Sequence, residues 1–271
     1  MKFLAMTVFC VDFFNSTGEV FVGGNSLNFA VQCAKSGISD ISLLGAIGDD
    51  TYGNLIKDYI RPFGFDASHL HTLTGRTASN RIYNDENGDR YFMSDSWDGG
   101  VYGTFRLSED DWNFAADFDV IAMPANNPNY PELLKRKTSR NRLAVDFLDL
   151  RDYGLIEKSL PCLDLLFISG DEAVIEKLVP MSLSTAATLV VTLGSHGSAA
   201  ISTGRVYRTA AVSVDSIVDT TGCGDAYIAA FCADRYRGGS IESSMLAGSQ
   251  AASKVLAWRG GVENGLMAVL P

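Results

Sequence analysis

Short apolar stretches recur along the chain, and most are separated by segments whose apolar residues follow helical spacing. The stretches are Phe3–Val11, Ile41–Leu44, Val120–Met123, Leu143–Val145, Leu165–Ile168 and Leu189–Leu193. Strands that are apolar throughout and alternate with helices indicate a parallel sheet covered on both faces. Ligands bind at the carboxyl ends of such strands. The pattern therefore predicts an α/β fold whose functional residues follow the strands.

Two early helices are predicted from the spacing of their apolar residues and from the residues that precede each helix. The first follows the Gly23-Gly24 pair, and its apolar face is formed by Leu27, Ala30, Val31 and Ala34. The second follows Thr51, a predicted N-cap, and its apolar residues are Leu55, Tyr59 and Ile60.

Three strand-like pieces interrupt this alternation. They are Glu19–Val22, Ala78–Asn84 and Arg90–Ser94, and the last two are joined by the acidic turn Asp85–Asp89. An Asn-Gly pair inside such a turn indicates a β-hairpin. We therefore expect residues 13–22 and 76–100 to form a small β lid. The chain contains no repeat or linker, so residues 1–271 are predicted to be a single domain that carries this lid.

Net charge and side-chain usage narrow the classes of function. The chain has 22 basic and 32 acidic residues, which gives a net charge of −10. Such a field repels nucleic-acid phosphates and anionic lipids, and no apolar run is long enough to span a bilayer. We expect neither nucleic acid nor membrane as a partner. The five cysteines form no Cys-x-x-Cys pair, so reduced thiols in a cytoplasmic protein are predicted.

The histidines do not predict a metal centre. Of the three, only His69 and His71 are close in sequence, while His196 stands alone. No cysteine or further histidine has the spacing of a metal-ligand set.

The most informative segment is Asp219-Thr220-Thr221-Gly222-Cys223-Gly224-Asp225-Ala226. It follows a strand-like Ala211–Val218 and precedes a predicted helix over Ala226–Tyr236. Glycines at a helix start allow backbone amides to converge at the positive end of the helix dipole, which makes an anion site. Asp225 lies next to this predicted anion site, where it could act as a general base. Alternatively, Asp225 could be an ordinary N-cap of the helix.

Two further glycine-containing segments suggest contacts with a ligand. In Gly23–Asn28 the glycines allow close backbone approach, and Asn25 and Asn28 offer amides that pair with hydroxyl groups. In Thr192–Gly197, the glycines follow a predicted strand and again allow a ligand to lie against the backbone. Each segment alone also fits a structural turn.

Taken together, these segments resemble the PfkB, or ribokinase-like, carbohydrate kinases over essentially the whole chain. Gly23–Asn25 and Leu44–Gly53 are similar to the N-terminal signature of that family, and Asp219–Ala226 is similar to its C-terminal signature. The resemblance implies a ribokinase-like three-layer sandwich, with a mostly parallel central sheet and a small β lid. It also implies an ATP-dependent phosphotransferase that acts on a sugar hydroxyl.

The resemblance assigns roles to individual residues. Asp225 would be the base, and Gly222, Cys223 and Gly224 would complete the anion hole. The sugar would be held by Asp12, Gly23, Gly24, Asn25 and Asn28. ATP would be bound by Thr192, Gly194 and Gly197. Glu172 would hold Mg²⁺ through water, and Asp219 and Thr221 would bind K⁺.

The chain departs from the family pattern in two of these places. The family's Asn-x-x-Glu is matched by Ser169-Gly170-Asp171-Glu172, which keeps the Glu and replaces the Asn. Cys223 stands where the family commonly has Ala, although the backbone amides still serve.

Within the family, the lid and the short chain look most like fructoselysine 6-kinases, which act on fructosamines. Fructokinase, ribokinase and nucleoside kinase activities stay open, as does a non-catalytic sugar-binding protein. A fructosamine carries a cationic amine, which acidic lid residues could complement. Those residues are Asp85, Glu86, Asp95 and Asp98. The lid strands could also pair with a second subunit to form a homodimer.

Overall fold

A computed structural model describes residues 1–84, 90–92 and 96–269. The strands within these residues are numbered β1 to β14 in chain order. They are β1 Phe3–Thr7, β2 Cys10–Phe14, β3 Glu19–Gly23, β4 Ile41–Gly48, β5 Asp66–Leu73, β6 Ala78–Asn84, β7 Arg90–Phe92, β8 Val120–Pro124, β9 Arg142–Asp146, β10 Leu165–Ser169, β11 Thr188–Thr192, β12 Ser198–Ser202, β13 Arg205–Thr209 and β14 Leu266–Val269.

The helices occupy most of the sequence between these strands. They are α1 Asn25–Lys35, α2 Thr51–Ile60, α3 Glu109–Ala116, α4 Tyr130–Arg136, α5 Tyr153–Ser159, α6 Glu172–Met181, α7 Cys223–Tyr236 and α8 Ile241–Val255. Over the same described residues, no helix is long and apolar enough to cross a membrane.

The main sheet has the order β13-β12-β11-β10-β9-β8-β1-β4-β5. The run from β11 to β5 is parallel, and β12 and β13 are added antiparallel at one edge. Both faces are covered, as the apolar strands predicted. In β1, Phe3 and Ala5 face α1, α2, α7 and α8, whereas Leu4 and Met6 face α3 to α6. The predicted α/β three-layer sandwich is confirmed.

A second sheet has the order β14-β3-β2-β6-β7, in which β2 and β6 are parallel. It contains the strand-like pieces Glu19–Val22 and Ala78–Asn84 and the described part of the third piece, Arg90–Phe92. One face joins the main core through Val11, Val20 and Val22. On the other face, Phe14, Phe21 and Ile82 form a small cluster of their own.

The predicted strand Phe3–Val11 is wrong as a single element. The chain leaves the main sheet after Thr7 and enters the second sheet at Cys10. Val8 and Phe9, which make this crossing, are also apolar, and Phe9 is fully buried. Hydrophobicity therefore gives no sign of the change of sheet.

Two further local predictions are corrected. The segment 211–218 is exposed and contains no strand; its Val218 amide donates to the Leu256 carbonyl, but no neighbouring strand pairs with the segment. The N-cap of α2 is Asp50, whose carboxylate accepts a hydrogen bond from the Gly53 amide, and Thr51 is the first helical residue. The predicted turn Asp85–Asp89, with Asp95, lies outside the described residues.

Candidate active site

A cleft of about 690 Å³ opens at the carboxyl ends of adjacent parallel strands. Pro124, Asp146, Ser169 and Thr192 line it, and each is the last residue of its strand, from β8 to β11. The second sheet also contributes to the lining, through Cys10, Asp12 and Asn80. The cleft therefore lies between the edge of the main sheet and one face of the second sheet.

One end of the cleft is formed by the loop that precedes α7. Gly222 is its N-cap, with φ 81°, a left-handed conformation that favours glycine. A side chain there would lie 2.6 Å from the Gly261 backbone. At Gly224, by contrast, an added Cβ would meet no atom within 4 Å. The first turn of α7 therefore faces open space within the cleft, where an anion would meet its amide groups.

Asp225 is held by both predicted amide side chains of α1. Its Oδ1 accepts a hydrogen bond from Asn25 Nδ2 at 2.8 Å, and its Oδ2 accepts one from Asn28 Nδ2 at 2.8 Å. These bonds join residues that are about two hundred positions apart in sequence. Each carboxylate oxygen can accept a second hydrogen bond, so Asp225 is oriented while it retains the capacity to accept a proton.

The start of α1 is shaped by two glycines that pack against β2 and the turn before it. Gly24 has a φ of 103°, and a side chain there would place its Cβ only 2.5 Å from the Val8 carbonyl oxygen. A side chain at Gly23 would collide with the Asp12 carboxylate. Asp12 lies within β2, is 6% exposed and lines the cleft.

Asp146 is the residue that sequence reasoning missed. Its Oδ2 accepts a hydrogen bond from the same Asn25 Nδ2 that binds Asp225, at 2.9 Å. Its Oδ1 accepts from the backbone amide of Leu148, whose φ of 55° is unusual for a residue with a side chain. Burial raises the pKa of Asp146 to about 6. The available signal was an acidic residue at the end of a buried strand.

The predicted nucleotide residues lie at the other end. Thr192 lines the cleft, and its hydroxyl donates to the Ser169 hydroxyl at 3.3 Å. Gly194 and Gly197 form the turn after β11, with φ of 59° and 90°. A side chain at Gly197 would strike the Thr209 carbonyl. These two glycines shape the rim and are not among the residues that line the cleft.

The two predicted metal positions have protein partners. Glu172 is exposed and forms a bidentate ion pair with Arg208, with both contacts at 2.7 Å. Asp219 is fully buried; its Oδ1 accepts from the Thr221 amide and hydroxyl, and its Oδ2 accepts from the Gly260 amide. Asp219 therefore fixes the loop before Gly222, and Glu172 lies outside the cleft lining.

Cys223 begins α7 and is partly buried. Its thiol contacts the carbonyl oxygen of Ala252 in α8 at 3.6 Å. The side chain thus points toward a neighbouring helix, and its contribution to an anion hole would come from its backbone.

The cleft lining is acidic. Four aspartates, Asp12, Asp146, Asp149 and Asp225, contribute to it, and its described lining contains no lysine or arginine. Such a cleft favours cations and hydrogen-bond donors. A phosphate-bearing ligand would depend on backbone amides and on a metal ion.

A helix start with open space beside its amides, next to an oriented carboxylate on a three-layer α/β fold, is the arrangement expected of a ribokinase-type phosphotransferase. Residues 12–265 match the pfkB family carbohydrate kinases, and the chain belongs to that family.

Named relatives agree with this assignment, and a solved structure agrees in fold. The chain is 32% identical over 254 residues to the fructoselysine 6-kinases of Shigella flexneri and Escherichia coli, covering 93% of this chain and 95% of each relative. Ribokinase from Arabidopsis thaliana, solved with ribose and ATP, superposes with a TM-score of 0.81 at 18% identity, over 96% of this chain and 93% of its own. This likeness in structure confirms the predicted fold.

Proposed function

We propose that the protein transfers the γ-phosphoryl group of ATP to the 6-hydroxyl of fructoselysine or a related fructosamine. The observation that carries this proposal is the 32% identity to two fructoselysine 6-kinases over nearly the full length of all three chains. The acidic cleft, described above, supports the same substrate class.

Asp225 takes the proton of the acceptor hydroxyl in the proposed reaction. As the hydroxyl oxygen forms its bond to the γ-phosphorus, the bond from that phosphorus to the β-bridging oxygen breaks, and ADP leaves. Asn25 and Asn28 hold the Asp225 carboxylate in place before the sugar arrives. Such prior positioning provides much of the acceleration in phosphoryl transfer.

The first turn of α7 stabilises the charge on the transferred group. The amides of residues 222–225 lie at the positive end of the helix dipole. The space beside Gly224 leaves room for a phosphoryl oxygen. In this proposal Thr192 contacts the nucleotide inside the cleft. Gly194 and Gly197 contact it at the rim of the cleft.

In this proposal, negative charge in the cleft distinguishes a fructosamine from a neutral sugar. A fructosamine carries a cationic secondary amine, and Asp12, Asp146 and Asp149 give the cleft carboxylates beyond the base. Of the acidic lid residues predicted for this role, Asp98 is paired with Arg76 at 2.8 Å. Asp85, Glu86 and Asp95 lie outside the described residues. We therefore assign recognition of the amine to the carboxylates that line the cleft.

Magnesium fits this site because the cleft offers hard carboxylate oxygens and its described lining contains no competing lysine. When bound with ATP, it neutralises phosphate charge. Asp146 and Asp149 are the cleft carboxylates available to it besides the base and Asp12. Each oxygen of Glu172 accepts one hydrogen bond from Arg208 and can accept a second, so Glu172 could hold a magnesium-bound water beside this ion pair.

A potassium ion beside Asp219 and Thr221 is the less specific part of the proposal. Gly260 and Gly261, which could supply further ligands, lie against the loop that contains Asp219, Thr221 and Gly222. Equal rates in potassium and in a bulky organic cation would exclude this ion.

The second sheet acts as the lid. Cys10, Asp12 and Asn80 on one of its faces line the cleft, so closure would bury the sugar. Near the edge strand, Tyr83 and Tyr91 stack with ring centroids 5.3 Å apart and are each 44% exposed. This aromatic pair supports a homodimer through the lid, which sedimentation analysis would test.

A coupled kinase assay on a panel of fructoselysine, fructose, ribose and adenosine tests the proposed substrate. We expect kcat/KM for fructoselysine to exceed that for fructose by more than about tenfold, since loss of one charge-assisted contact costs about 1.5–3 kcal/mol. Equal values would assign fructokinase activity, and preference for ribose or adenosine would assign those activities. No turnover with any compound would favour a non-catalytic binding protein.

A further inference from the structure

Three metal-ligating side chains meet outside the cleft. His69 Nδ1 lies 2.8 Å from Asp111 Oδ1, and His71 Nε2 lies 2.7 Å from the same oxygen. The ligand atoms of the three residues lie within 4.8 Å of one another. Sequence spacing showed only the His-x-His pair, because the third member is forty residues away.

The fold explains this convergence. His69 and His71 lie on the same face of β5, since side chains two apart in a strand point the same way. β5 is the edge strand of the main sheet. Asp111 belongs to the first turn of α3, and its contacts with both histidines place that turn beside β5.

Neighbouring contacts hold the three groups in place. The second oxygen of Asp111 accepts from the amide and hydroxyl of Ser108, at 2.9 and 2.8 Å, which leaves Oδ1 for the histidines. The His69 ring stacks on Phe114 with centroids 3.9 Å apart. The His71 ring lies against Phe105 at 5.4 Å. Outer contacts of this kind orient ligands in metal sites.

The Asp111 side chain is 2% exposed and negatively charged. Hydrogen bonds from His69, His71 and Ser108 favour the ionised form of this carboxylate. The group is therefore available as an anionic ligand at neutral pH.

We propose that His69, His71 and Asp111 form a binding site for a divalent transition-metal ion, with zinc as the best match. Two imidazole nitrogens and one carboxylate oxygen are a ligand set that zinc accepts, and water completes a tetrahedron. The His71 side chain is 37% exposed, which gives the ion a path of entry. On binding, the ring protons now directed at Oδ1 leave these nitrogens, either to solvent or to the other ring nitrogen.

Such an ion would fasten the edge strand β5 to α3. It would also stiffen the contact between His71 and Phe105, three residues after Tyr102, which lines the cleft. The site is separate from the proposed phosphoryl-transfer residues, so its existence does not depend on the identity of the sugar.

The test is titration of the metal-stripped full chain with Co²⁺ and Zn²⁺ at neutral pH, without ATP. Calorimetry should show one ion bound, and bound cobalt should lack the thiolate charge-transfer absorption that cysteine ligation would give. His71→Gln and His69→Gln should each lower the affinity at least about tenfold. The matched control is His196→Gln, which removes the remaining histidine and should bind as wild type does.

A thermal-shift series gives an independent reading. Zinc should raise the Tm of wild type and of His196→Gln, and it should leave the Tm of His71→Gln unchanged. Failure of the wild type to bind either ion would overturn the proposal, and the triad would then be a hydrogen-bonded clamp alone. Binding that survives both His69→Gln and His71→Gln would also overturn it.

Discussion

The two ends of the cleft are built by different means. At the acceptor end, Asp225, Asn25, Asn28 and Asp146 are joined side chain to side chain across α1, α7 and β9. At the nucleotide end, Thr192 and the Gly194–Gly197 turn offer mainly backbone, and the adjoining segment 211–218 is exposed.

This difference indicates how each end functions. Partly buried hydrogen bonds hold the acceptor end in one geometry before substrate arrives, as a base requires. The nucleotide end depends on glycine conformations, which tolerate adjustment around a ligand. The exposed apolar residues Val212, Val214, Ile217 and Val218 follow Ala211, whose backbone lies close to Gly197, and a bound nucleotide could cover part of that surface.

The sharpest test of the acceptor end is Asp225→Asn. We expect kcat to fall by more than about a hundredfold, because an amide cannot accept the hydroxyl proton. The KM for ATP should change little, since the nucleotide end is built separately. Steady-state kinetics with a Tm measurement would check both points, and near wild-type turnover would refute the role of Asp225.

Gly224→Ala and Gly222→Ala form a matched pair on the same turn. An added methyl group at Gly224 meets no protein atom, so Tm should hold while turnover falls by about ten- to a hundredfold as the phosphoryl group is displaced. At Gly222, the positive φ and the Gly261 backbone oppose any side chain.

We therefore expect Gly222→Ala to lower Tm, with a loss of more than about 1 kcal/mol of unfolding free energy. Equal Tm losses in the two variants would contradict the space assigned beside Gly224.

Asp146 should make stability depend on pH. Its pKa rises from an ordinary 3.8 to about 6 in the folded protein, so the folded state holds the proton more tightly. The stabilising contribution is complete below about pH 4 and is lost as pH rises through about 6. Asp146→Asn should thus gain stability relative to wild type over that range, by at most about 3 kcal/mol. Chemical denaturation at several pH values gives the unfolding free energy of both proteins. A difference between wild type and Asp146→Asn that does not change with pH would contradict this prediction.

The smallest effect concerns the nucleotide end. Glu172→Gln should raise the Mg²⁺ concentration needed for half-maximal rate several-fold if its carboxylate holds a magnesium-bound water. Arg208→Gln removes the same exposed ion pair but frees the carboxylate, so it should not raise that requirement. Identical magnesium dependence in both variants and wild type would reduce Glu172 to a surface ion pair, which contributes little to stability.

Much of this arrangement could be predicted because polar residues next to glycines are conspicuous in an apolar pattern. Asn25, Asn28 and Asp225 were singled out in this way, and the structure brings them together. The confirmed three layers likewise follow from strands that are apolar throughout.

Other features depend on pairing between distant residues, which local pattern does not record. The change of sheet at Val8–Phe9 is hidden because both residues are apolar. The segment 211–218 was expected to be a strand but has no partner strand in the described structure. The contacts of Asp111 with His69 and His71 join residues about forty positions apart.

The hydrogen bonds of Asn25 have a consequence for analogue design. Its one NH₂ group is shared between Asp146 and Asp225, and Asn28 gives its NH₂ to Asp225. Among the described residues, Asn28 Oδ1 is buried and has no hydrogen-bond donor. The acceptor end thus presents mostly lone pairs, and a ligand must supply the hydrogens. Deoxy, fluoro or methyl-ether analogues supply no hydrogen at the altered position, so they should bind far more weakly than the parent sugars that carry a hydroxyl group there. Amino-sugar analogues supply N–H groups, so they should keep most of the affinity.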